Sequence, residues 1–311
     1  MKLMRATTAA RMRRMTALPV ILLIIVLACI LGYFSPHALA TQNLINILNQ
    51  QVSLILVTIG QVMVILTSGL DLSVGSVVSM TTAIVSHNTP YSIPLAMAAA
   101  LSVGLVNAMG ILYLGVHPIL MTLSTMTAVQ GIALYIRPIP GGEVADWMSW
   151  YASAEYFGLP LPVMFAAFAV IVGTLIVARS RFGLHLMATG ASEESALLGG
   201  VNTRRVIASA YLFSSFFACL AGLNLAARLA SGDPLVGNAF AIDSIAATAL
   251  GGTQLSGGLG GLTGPVTGVL FLALLGNGLN LLNISTYYQM LITGGLLVLA
   301  VSTHRRKQPG L

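Results

Sequence analysis

The sequence predicts an all-α membrane protein with about ten transmembrane helices, and three observations carry that prediction. Of 311 residues, 57% are hydrophobic and 7% charged, against roughly 25% charged in an ordinary soluble domain. The mean hydropathy is +0.92. The apolar residues gather in runs near the roughly 20 residues that carry a helix across a bilayer, and a helix satisfies its own backbone there. The short alternating segments of a membrane barrel are absent.

The chain opens with Lys2, Arg5, Arg11, Arg13 and Arg14, followed by an apolar run from Leu18 to Phe34. That run is long and ends in Tyr33-Phe34-Ser35-Pro36 with no clear small-residue cleavage site, so it reads as an uncleaved first span. Further segments lie near 52–69, 72–88, 93–115, 118–137 and 160–178, then near 206–230, 239–254, 262–283 and 286–303. Arg179, Arg181, Arg204 and Arg205 flank the central loop 179–205, and Arg305, Arg306 and Lys307 follow the last run. Short basic segments stay cytoplasmic, so ten spans put residues 1–17, the central loop and the tail 304–311 all on that side. The single polytopic domain is then 18–303. The basic balance is a topology signal and gives no reason to expect nucleic acid. Cys29 and Cys219 both sit inside apolar runs, as small buried hydrophobes do.

Two places strain the count. Segments two and three share Gly69 to Ser76 with almost no polar loop, and segment eight runs into a glycine-rich stretch. Broken or re-entrant helices are expected near 69–76 and 250–264. On the opposite face one sizeable loop, 138–159, carries Glu143, Asp146, Glu155, Trp147 and Trp150, which suits an interfacial aromatic belt or a docking surface for an external partner.

Several chemistries are excluded. A P-loop needs a lysine in G-x-x-x-x-G-K-[ST], and the only lysines are Lys2 and Lys307. There is no HExxH, no G-x-S-x-G and no Cys or His set at metal-ligand spacing. No catalytic residues, no metal and no cofactor are expected in this chain.

Four stretches carry chemistry. In L66TSGLDLSVGS76, Asp71 lies at membrane depth, where a carboxylate must face protein or water; Asp71-Leu72-Ser73 can cap a helix, or Asp71 can handle a ligand or proton. In T122LSTMTAVQG131, Thr122, Ser124, Thr125 and Thr127 decorate an apolar helix, either as glue between helices or as the lining of a polar passage. Gln61 and Asn107 are candidates for the same passage. The central loop holds an amphipathic segment, Ser192 to Leu198, with Ser192 as N-cap and Gly199-Gly200 closing it. Finally, A246ATALGGTQLSGGLGGLTGPVTG268 has eight glycines in its last eighteen residues, suited to tight helix packing or an unwound segment. Asp243 stands to its neighbours much as Asp71 does, a hint of a structural repeat.

Taken in order, G69LDLSVGS76, F182GLHLMATGASEESALLGGVN202, D243SIAATALGGTQLSGGLGGLTGPVTG268 and N277GLNLL282 resemble the signatures of the monosaccharide permeases of bacterial ATP-binding-cassette importers. The branched-chain amino acid permeases are more distant relatives. The resemblance implies an inner-membrane subunit that pairs with a second permease chain, identical or not, and with cytoplasmic ATPase subunits that hold ATP and Mg. It also implies a periplasmic sugar-binding protein. On that resemblance Glu193, Glu194, Gly199 and Gly200 contact the ATPase, while Asp71, Ser73, Gln61, Asn107, Thr122, Ser124, Thr125, Thr127 and Asp243 belong to the translocation path or its gate. Two departures stand out: Gln130-Gly131 where the family commonly has arginine-glycine, and Ser195 where alanine often follows the acids. The rival from another class is a proton-coupled secondary transporter using Asp71 and Asp243.

Overall fold

The computed structural model describes residues 2–35 and 37–303 and is built almost wholly of helix. The first half runs α1 (Lys2–Phe34), α2 (Thr41–Leu66), α3 (Val74–Val85), α4 (Ser92–Leu112) and α5 (Pro118–Ile136). Between the halves lie α6 (Asp146–Ser153), a small hairpin of β1 (Glu155–Tyr156) and β2 (Leu159–Pro160), α7 (Leu161–Arg179), α8 (Arg181–Ala191) and α9 (Glu193–Leu198). The second half is α10 (Thr203–Leu229), α11 (Phe240–Leu250), α12 (Thr263–Leu281) and α13 (Thr286–Thr303).

Local sequence sets many of these starts. Proline stands in the first turn of α5 and α7, where its missing N–H costs nothing. The side chains of Ser180, Ser192 and Asn202 accept the N–H groups of Gly183, Ser195 and Arg205 at the starts of α8, α9 and α10.

Each apolar segment expected from the sequence falls on a helix, with two differences. Six described helices are long and apolar enough to cross a membrane: α2, α4, α5, α7, α10 and α12. The apolar part of α1, Leu18–Phe34, and α3 and α11 are shorter. Helix α1 also runs through the basic segment from Lys2 instead of beginning at residue 18. Three further elements escaped the hydropathy reading because they are short or amphipathic: α6, α8 and the β1–β2 hairpin. The two predicted breaks are present, as irregular chain at 67–73 and 251–262.

The core lies around α2, α3 and α10. Every residue of α3 is buried, as is α2 from Val52 to Leu66. As the contact point on α2 advances from Ser53 to Gly60, its partner on α10 falls back from Ala221 to Ser214, so the two helices run antiparallel. They come within backbone range because Gly60 has no side chain: a Cβ there would lie 2.7 Å from the Ser214 Cα. Helices α11 and α12 form a second antiparallel pair, with Gly251 on Gly264 and Ala247 on Gly268.

The two halves repeat one another. Helices α2 to α5 have 26, 12, 21 and 19 residues, and α10 to α13 have 27, 11, 19 and 18. Their packing is exchanged, with α10 against α3 and α4, and α2 against α11 and α12. A reciprocal amide pair, Asn43 with Asn277 at 2.9 and 3.1 Å, ties α2 to α12.

Candidate functional site

Segment 67–73 enters the core, where the Asp71 carboxylate is fully buried. One oxygen accepts the Ser73 N–H at 3.0 Å and the Ser73 hydroxyl at 2.6 Å, the closed turn that aspartate forms with its own backbone two residues on. The other accepts the Ser214 hydroxyl of α10 at 2.8 Å. Ser73 in turn accepts Nδ2 of Asn107 at 2.9 Å, and the Asn107 oxygen accepts the Thr125 hydroxyl at 2.6 Å. The Thr122 hydroxyl lies 3.1 Å from the Leu70 carbonyl and 3.0 Å from that of Pro118.

Five predicted site residues therefore meet in one network that joins the break to α4, α5 and α10. Asp71, Ser73, Asn107 and Thr122 have no exposed surface. The carboxylate faces hydrogen-bond donors of the protein, the first of the two surroundings open to it at membrane depth. Ser73 does not cap α3 with its own side chain, which is turned back onto Asp71.

The hydroxyls of α5 divide between two faces. Thr122, Thr125, Val129 and Ala133 form the buried stripe at helical spacing. Ser124 and Thr127 are exposed and bond back to the carbonyls of Leu120 and Leu123. Thr127 borders a cleft of about 470 Å³ with Ser76, Met126, Gln130 and Asn238. The Gln130 side chain donates to the Pro234 carbonyl at 2.6 Å, while its oxygen is buried without a partner among the described residues. Gln61 is buried elsewhere on α2, and neither amide atom is bonded among the described residues. Asp243, in the first turn of α11, is half-buried and joins neither the network nor this cleft.

Sequence reasoning missed Ser214 and Tyr211. The Tyr211 hydroxyl is buried beside Gly69, where a Cβ would lie 2.6 Å from it. The signal was in Y211LFSSFF217, hydroxyls in an apolar helix, the same pattern that singled out the α5 stripe.

At the end of the bundle that carries α8 and α9, Glu193, Glu194, Leu197 and Leu198 project outward. Ser192 caps α9 as expected, and Gly199 ends it with Gly200 at φ 81°. An open cleft of about 540 Å³ beside them is bordered by Glu193, Leu197, Asn202 and Arg204. At the opposite end, α6 is held to the core through Tyr151, whose hydroxyl donates to Asn224 at 3.2 Å; Asn224 donates to Ser53 at 2.9 Å.

Long apolar helices, half-length helices beside them and a buried polar seam around Asp71 define a multi-pass membrane protein of the transporter class. Over residues 43–301 the sequence matches the family described as "Branched-chain amino acid transport system / permease component", and the chain belongs to it. Among curated relatives, it is 33% identical to the ribose import permease protein RbsC of Escherichia coli K12 over 296 residues, covering 92% of each chain. It is 31% identical to the D-allose transport system permease protein AlsC of the same organism, covering 90% of this chain and 89% of the relative. Identity to the xylose transport system permease protein XylH of Haemophilus influenzae is 28%, covering 91% and 95%. No solved structure gives a significant match.

Proposed function

We propose that this chain is the membrane permease subunit of an ATP-driven importer for a monosaccharide or related polyhydroxy solute, working by alternating access. The observation that carries the reading is the end-to-end similarity to permeases whose names specify ribose and allose. The chemistry agrees with it. The groups beside Thr127 are Ser76, Gln130 and Asn238, neutral donors and acceptors suited to a sugar's hydroxyls. An amino acid would call for a charge or helix end to meet its carboxylate.

In this proposal all ten apolar helices contribute to the membrane domain, with both termini and α8–α9 cytoplasmic, and with α6 and the β1–β2 hairpin periplasmic. Helix α9, with Glu193, Glu194, Gly199 and Gly200, meets a separate ATPase subunit that holds ATP and Mg. A periplasmic binding protein delivers the solute, and a second permease chain completes the passage. The Asp71 network lies behind that passage as its buried wall, and the outward face of α5 borders it.

The test is uptake by proteoliposomes holding the permease, its ATPase and its binding protein, with D-ribose, D-allose, D-xylose and L-leucine as solutes. Sugar uptake should need ATP and survive a protonophore while ATP is maintained. Collapse under the protonophore at constant ATP transfers the chain to the proton-coupled class, and uptake of leucine alone replaces the sugar assignment. Glu194→Lys should lose ATP-driven uptake and co-purification with the ATPase while leaving the permease folded.

A further inference from the structure

Ser68 stands where three segments meet. It is the second residue past the end of α2 and a non-glycine residue at φ 66°, a conformation glycine reaches without strain. Its hydroxyl explains the choice. The oxygen lies 2.9 Å from the carbonyl of Gly190 in α8 and 2.8 Å from that of Ser256 in the glycine-rich loop, so one proton serves two acceptors on separate segments.

The surrounding contacts are backbone to backbone. The Gly258 N–H donates to the Leu66 carbonyl at 3.1 Å. A Cβ on Gly190 would run into that same carbonyl, one on Gly257 would strike the Ser68 hydroxyl, and one on Gly258 would lie 2.7 Å from the Ala191 Cα. With the Ser68 hydroxyl bridging these close backbones, a shift of α8 carries the end of α2 and the glycine loop with it. On one side of this joint a single residue, Ser192, separates α8 from α9. On the other, Asp71 follows Ser68 by three residues and is held to α10 directly and to α4 through Ser73.

We infer that Ser68 is a positioning residue, the joint through which the α8–α9 pair displaces segment 67–73 and the network attached to Asp71. The inference rests on the proposed function, which puts an ATPase against α9.

It is tested in the assembled complex of permease and ATPase in lipid nanodiscs, with a reporter thiol at Leu70→Cys and the native thiols removed by Cys29→Ser and Cys219→Ala. The rate of labelling by a water-soluble maleimide is compared between nucleotide-free and ATP-vanadate-trapped states. The expected change is about fivefold or more with Ser68 present, about twofold or less with Ser68→Gly, and restored by Ser68→Asn, which tolerates the left-handed backbone and supplies an N–H donor. Thermal unfolding and ATP hydrolysis should stay close to wild type in all three. A Ser68→Gly complex that keeps the full change overturns the inference, as does a Ser68→Gly chain that no longer assembles, or a parent complex that hydrolyses ATP without any change at Leu70→Cys. A chain that binds no ATPase overturns the functional reading beneath it.

Discussion

Asp71 and Asp243 stand at the starts of the two shortest apolar helices, α3 and α11, in sequence contexts that echo one another, yet the structure treats them differently. Asp71 precedes its helix, has no exposed surface and receives three donors, two from Ser73 and one from Ser214. Asp243 lies within the first turn of α11 and is only half-buried. There a negative charge gains from the helix dipole without anchoring another element. Similar sequence contexts thus place the acid differently, before the helix in one half and inside its first turn in the other. The first half uses it to fasten an unwound segment; the second leaves it as a local charge.

This contrast can be broken in order of expected effect. Asp71→Ala should cost about 3 kcal/mol, because it strands fully buried donors on Ser73 and Ser214; thermal unfolding in detergent should show it as a large drop. Asp71→Asn keeps an acceptor oxygen and should recover part of that loss, and equal damage from the two variants would mean that charge, not hydrogen bonding, holds the segment. Ser214→Ala removes one charge-assisted bond and should cost about 1.5 kcal/mol in the same assay. Thr125→Val, at the far end of the chain of bonds, should cost about 0.6 kcal/mol. Asp243→Asn should change stability by less than about 0.5 kcal/mol. Destabilisation by Asp243→Asn as severe as that by Asp71→Ala would show the two halves to be functionally equivalent after all.

Hydropathy made the positions of the apolar helices along the chain legible, because each helix must bury its backbone and its run of apolar side chains is the record of that need. The glycines and serines around Asp71 and after Leu250 likewise marked both breaks. Which hydroxyl of α5 faces inward was not legible. Thr122 and Ser124 differ by two positions and face opposite ways, and only the packing of α3 and α4 decides which is buried. The partners of the Asp71 turn were hidden for a related reason: Ser214, which bonds Asp71, and Asn107, which bonds Ser73, come from distant helices whose register depends on close approaches such as Gly60 on Ser214. The helical nature of α8 was hidden because its apolar residues are too few for a span, although Ser180 marked its start.

The bond from Ser214 to Asp71 also has a consequence for biosynthesis. The two residues are separated by 143 positions, so at 5–20 residues per second Asp71 leaves the ribosome roughly 7 to 30 s before its partner. During that interval the first half must sit in or near the lipid with its acid unsatisfied from the α10 side. A nascent chain halted before residue 203 therefore carries an incomplete first half, one that awaits the second to become dry.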